Sequence, residues 1–127
     1  DGMDRPDARL GVSQGSSSER VLGARLKAAK LMPQPTLQHA AQALRQRDID
    51  AFATNKAILH ELAGSVPGAR VLEGRWGLEH LALGTGQGRG AGLAWLRDFN
   101  TAMSAEGHVA RAAERAGLRG TAPAEDR

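Results

Sequence analysis

The stretch Leu10-Gly-Val-Ser-Gln-Gly-Ser-Ser-Ser-Glu19 decides how this chain folds. A short apolar run breaks at Gly15 into three serines, and a helical pattern takes over near Ser17. That order predicts a strand over 10–13, a turn, and a helix whose first N–H groups lack intrahelical acceptors and readily hold an anion. A second stretch, Asp48-Ile-Asp-Ala-Phe-Ala-Thr-Asn55, reads as a strand buried on both faces that ends in the polar pair Thr54 and Asn55. In a parallel sheet both strand ends open on one crevice, which is where such sheets take up ligands. A serine-lined cradle beside a polar strand end is the chemistry of capturing a small carboxylate-bearing molecule, and nothing in it requires turnover.

Between and beyond these stretches the pattern alternates. A helix is expected over 17–29, with Leu22, Leu26 and Ala29 on one face and Glu19 in its first turn, where the helix dipole favours a negative charge. A strand over 30–35 follows, and Pro33 and Pro35 mark it as an edge or an early exit. Thr36 caps a helix with Leu37, Ala40, Ala41 and Leu44 in phase, ending near Arg47. After the strand over 48–53 come a helix over 57–64, a turn at 66–68, and strands over 70–72 and 78–83. A Gly-rich turn over 84–92 leads to two helices. One is marked by Leu93, Leu96, Phe99 and Met103, the other by Val109, Ala112, Ala113 and Ala116, with Gly107 before it and Gly117 as its stop. Strand–helix alternation predicts an α/β fold with a mainly parallel sheet flanked by helices.

Composition narrows the function classes. The chain has 127 residues, enough for one domain with a core, and 41% hydrophobic with 24% charged residues is globular rather than disordered. Aromatic residues are 3% and Tyr is absent, so the core is aliphatic and stacking on bases has little to work with. The net charge of +3 comes from 17 basic residues interspersed with 14 acidic ones, a solvated Arg-rich surface rather than a nucleic-acid interface. Absence of Cys excludes disulfides and thiolate metal sites. No stretch reaches the length of a membrane helix, and residues 1–8 are a polar lead-in without the apolar core of a signal peptide. An opening Asp-Gly, with Met only at position 3, is expected of a piece lacking its natural N-terminus.

The ordered set Gly11-Val-Ser-Gln-Gly-Ser-Ser-Ser-Glu19, Leu44-Arg-Gln-Arg-Asp-Ile-Asp-Ala51, Asn55, Leu81-Ala-Leu-Gly84 and Ala116-Gly-Leu-Arg-Gly120 resembles the amino-acid-binding family of bacterial extracellular solute-binding proteins. These serve ABC importers and have the type II periplasmic binding protein fold. The resemblance covers roughly residues 9–120. It implies a solute-binding lobe over 9–78, then a crossover (hinge) strand and two C-terminal helices over 79–120, then a polar tail over 121–127. The first lobe of the family has no counterpart here. The resemblance also implies a periplasmic or extracellular location and an importer permease as partner, with no cofactor and no metal.

Carried over residue by residue, Ser16 and Ser17 fall at the turn that binds a ligand α-carboxylate, with Ser18 reinforcing it as a helix N-cap. Asn55 falls where the family usually has an Asp that pairs with the ligand ammonium, and Thr54 is its weaker neighbour. Asn brings no charge, which turns the expectation from amino acids toward related carboxylates. The C-terminal helices bear apolar stripes with no obvious surface to cover, and are expected to pack back on the lobe or exchange with a second chain as a homodimer. The alternative is a truncated remnant or protein-interaction module that binds no solute.

Other motifs weigh less. Gly86-Gln-Gly-Arg-Gly-Ala91 mimics a dinucleotide fingerprint, but no returning strand with an acidic partner follows it. His39, His60, His80 and His108 lack metal-ligand spacing. No nucleophile elbow is present, and an enzyme on this fold would have only Glu79 and His80 nearby as acid or base. Trp76 reads as a hinge anchor or an interface residue.

Overall fold

The computed structural model describes residues 2–122; residue 1 and residues 123–127, most of the expected polar tail, lie outside the described residues. The elements are β1 (Arg9–Ser13), α1 (Ser17–Arg25), β2 (Lys30–Gln34), α2 (Leu37–Gln46), β3 (Ala51–Ala53), α3 (Lys56–Ser65), α4 (Gly90–Ala105) and α5 (His108–Arg115). The fold is α/β, and its sheet is parallel in the order β2-β1-β3. Two compact units divide the chain between Glu73 and Gly74.

Alternation along the strands builds the first unit as three layers. Leu10 and Val12 of β1 share one face of the sheet with Leu31, Ala51 and Ala53, and α1 covers it through Leu22 and Leu26. Phe52 and Met32 point the other way, into a cluster with Ala40, Ala41 and Ala43 of α2, Ile49, Leu62 of α3 and Val66. Gly11 sits between them on that second face. A Cβ there would stand 2.5 Å from Ile49 Cδ1 and 3.1 Å from a Phe52 ring carbon, so glycine is what lets these two buried side chains close over the strand. Pro33 is tolerated because β2 is an edge strand, as its sequence predicts.

Two boundaries differ from expectation by several residues, each for a local reason, and two expected strands do not form. The first helix ends at Arg25 rather than 29, because the Asp4 carboxylate accepts the amides of Lys27, Ala28 and Ala29 at 2.8–3.1 Å and holds that segment as a loop. The polar lead-in is therefore pinned to the unit. β3 begins at Ala51 rather than 48. Arg47 closes α2 in the left-handed region (φ 61°), the Asp48 amide returns to the Ala43 carbonyl, and the Asp50 carboxylate takes the Arg9 amide at 2.7 Å. Ile49 still belongs to the core while lying outside the ladder. Finally, residues 70–72 and 78–83 form no strand, so the expected hinge strand is absent as an element; Leu78, Leu81 and Leu83 are exposed.

The second unit contains α4 and α5, joined by a short turn in which Gly107 takes φ 72°. Both helices form where the apolar spacing predicts them, but neither buries a residue.

Candidate functional site

In the order β2-β1-β3 the chain leaves β1 to one side and returns on the other, with α1 on one face and α2 and α3 on the opposite one. The carboxyl ends of β1 and β3 therefore flank the topological switch point, where crevices form in sheets of this kind. Val12 pairs with Ala53, and beyond them Ser13 leads through the 14–16 turn into α1 and Thr54 through Asn55 into α3. The segment Ser13–Ser17 and the pair Thr54 and Asn55 thus continue the carboxyl ends of two adjacent strands.

On the β1 side, Gly15 turns the chain with φ 72° and Ser16 caps α1, its Oγ accepting the Glu19 amide at 3.2 Å. Gly15, Ser16, Ser17, Glu19 and Arg20 line a shallow depression of about 390 Å³. The cap is thus Ser16 and not Ser18, which is the second residue of α1 and is buried. Thr54 and Asn55 do not line the depression. Asn55 is the N-cap of α3, with its Oδ1 accepting the Ile58 amide at 3.0 Å. Its carbonyl oxygen is committed, and what remains to meet a ligand is the Nδ2 donor.

Sequence reasoning missed the part Glu19 plays here. Its Oε2 accepts the Gly15 amide at 2.6 Å, while its own amide goes to Ser16 Oγ. This is a capping-box exchange displaced by one residue, and the Ser-x-x-Glu spacing of Ser16 and Glu19 was its available signal. The carboxylate lies at the helix N-terminus, where a ligand anion would lie, and Arg20 supplies an opposite charge on the rim of the same depression.

The opposite end of the sheet holds a depression of about 510 Å³ lined by Arg9, Arg47, Asp50, Val66 and Gly68 among others. Two of its charges are spent on structure. The Arg9 guanidinium grips Asp50 with bonds of 2.9 and 3.1 Å, which holds the Asp50 carboxyl below its ordinary range and raises Arg9. Among the described residues no three of His, Asp and Glu gather as a metal site, and no helix is long and apolar enough to cross a membrane. No family model, curated protein or solved structure matches the chain.

Proposed function

We propose that the first unit captures a small carboxylate-bearing solute, without turnover, at the carboxyl ends of β1 and β3. The observation that supports this is the switch-point topology, in which β1 runs into the Gly15–Ser17 turn and the adjacent strand β3 runs into Asn55. The groups offered are donors: the Ser16 hydroxyl proton, Asn55 Nδ2 and Arg20. They suit an acceptor-rich anion, and the negative charge beside them is the Glu19 carboxylate, one oxygen of which holds the Gly15 amide. In this reading the unit is the solute-binding lobe of an ABC importer component, working outside the cytoplasmic membrane with a permease as partner. The importer and the location rest on the sequence resemblance alone.

Glu19 favours a second reading, that of an interaction module without a solute. It already fills the helix N-terminus, and Ser16 and Asn55 both serve as caps. Calorimetric titration of small mono- and dicarboxylates against the wild type and two variants separates the readings. Glu19→Gln removes the competing charge and should tighten carboxylate binding. Asn55→Asp keeps an equally good cap, so it should leave the fold intact and weaken binding at least about tenfold by replacing a donor with a charge. Heat-silent titrations with both the wild type and Glu19→Gln, on folded protein, would leave the interaction module as the surviving reading.

A further inference from the structure

Arg47 is the one non-glycine residue with a positive φ among the described residues, at 61°. It stands directly after α2, where helices favour Gly because a Cβ crowds the backbone in the left-handed region. Arg47 lines the depression of about 510 Å³ at the amino ends of β1 and β3. Leu44, Ile49, Val66, Pro67 and Ala69 give that depression an apolar lining, and Gly68 turns there with φ 78°. No heavy atom lies within 4 Å of where a Gly68 Cβ would stand, so the backbone meets open space at that point. Apolar walls with a few polar groups, in a volume of this size, are what small-molecule sites are built from.

We infer that this depression binds an aliphatic carboxylate, whose charge pairs with Arg47 and whose hydrocarbon body lies on the apolar lining. The charges around it select that ligand. Arg9 and Asp50 neutralise each other through bonds of 2.9 and 3.1 Å. Arg45 is turned to the Ser65 carbonyl at 3.5 Å. The Arg47 guanidinium has no hydrogen bond or ion pair to any described residue. Arg9 and the segments 44–50 and 66–70 together carry four Arg and two Asp, so the surroundings are positive. Asp48, the other carboxylate of these segments, does not line the depression. A guanidinium presents a planar fork of donors that matches the two oxygens of a carboxylate. The apolar lining favours a hydrocarbon body over a compact anion such as acetate or phosphate. Glycine would take the left-handed turn more easily, so what Arg47 adds at that position is its side chain. A basic charge also suits the carboxyl end of the helix dipole, but Arg45 in the last turn of α2 already supplies one.

Titration of the isotope-labelled full chain with sodium hexanoate, followed in amide spectra, tests this directly. The amides of Arg47, Gly68 and Ala69 should shift, with a Kd of the order of 1 mM. From butyrate through hexanoate to octanoate, the Kd should fall about two- to fourfold for each added methylene. Hexanamide, which lacks the charge, should bind at least about tenfold more weakly. Arg47→Gly should weaken hexanoate to the same degree while raising Tm, since it relieves the left-handed strain. Signals of β1 and β3 that stay in place establish that this variant is folded. The proposal is overturned by the absence of a saturable shift, by a Kd indifferent to chain length, or by hexanamide binding as tightly as hexanoate. An Arg47→Gly variant that binds as well as the wild type, or melts below it, overturns it too. Shifts confined to Gly15–Ser17 and Asn55 would put hexanoate at the carboxyl ends of the strands instead, so this proposal and the solute proposal fail separately.

Discussion

The two units spend a similar apolar vocabulary in opposite ways. In the first, Val12, Ile49 and Phe52 are enclosed between helices, and each of its three helices starts on a side-chain cap, from Ser16, Thr36 and Asn55. In the second, Trp95, Phe99 and Val109 are exposed, and neither α4 nor α5 has a side-chain cap. Hydrophobic periodicity is enough to specify a helix, but whether its apolar face is buried depends on a covering layer. β1 and β3 supply that layer for α1, α2 and α3, and no described element of the second unit supplies it for α4.

The largest effect should come from emptying the enclosed side. Ile49→Ala should cost about 2–5 kcal/mol in urea unfolding, through lost burial and a residual cavity. Leu96→Ala, measured at dilution where copies do not meet, should cost less than about 1 kcal/mol. Equal costs would break the contrast between the units. Gly11→Ala probes the same enclosed face by overfilling it, and about 1–3 kcal/mol is expected. Combining it with Ile49→Val, which removes the methyl that the new Cβ would strike, should cost less than the two single changes added together.

The enclosed unit was legible in the sequence because its signals are local and agree with one another. The 10–19 stretch, Pro33 on an edge strand, Thr36 and Arg47 at the ends of α2, and the apolar run to Ala53 all lie where strand and helix chemistry puts them. What was not legible is long-range polar bonding. Asp4 meets residues 27–29, and Asp50 meets Arg9 across 41 positions, and no spacing rule links such pairs. The strands expected over 70–72 and 78–83 show the converse. β-propensity expresses a fit to neighbouring strands, and Leu78, Leu81 and Leu83 have no neighbouring strand to fit. At the candidate site Ser16 and Asn55, expected to meet a ligand, are the N-caps of α1 and α3, whereas Glu19, already seated on the Gly15 amide, was read only as a charge favourable to the helix.

Those long-range carboxylates give the enclosed unit an acid-sensitive edge. Three backbone N–H donors to Asp4, and the Arg9 side chain and amide on Asp50, hold both carboxyls below their ordinary value of 3.8. The native state therefore binds fewer protons than the unfolded chain. Their contribution is complete above the ordinary carboxylate pKa and is lost as pH falls through the lowered native values. Thermal melts from pH 7 down to pH 2 should show Tm falling most steeply below about pH 4. Asp4→Asn and Asp50→Asn should each lower Tm at pH 7 and flatten the acid limb. An acid limb unchanged in both variants would assign the sensitivity elsewhere.

The smallest effect should come from the caps, and it tests the contrast from both sides. Thr36→Ala frees the His39 amide that Thr36 Oγ1 accepts at 3.2 Å, and also loses the 2.7 Å contact with His39 Nδ1. About 1 kcal/mol of first-unit stability should go with it. In the second unit the deficit is already present. Arg89 precedes α4 with no side-chain bond to its amides, and its positive charge sits at the positive end of the helix dipole. Arg89→Asp removes that charge and offers an acceptor, and should gain up to about 1 kcal/mol of local helix stability. The gain should appear as slower amide exchange in the first turn of α4, with no change in the unfolding midpoint of the enclosed unit. If that midpoint rose with it, the two units would be unfolding as one.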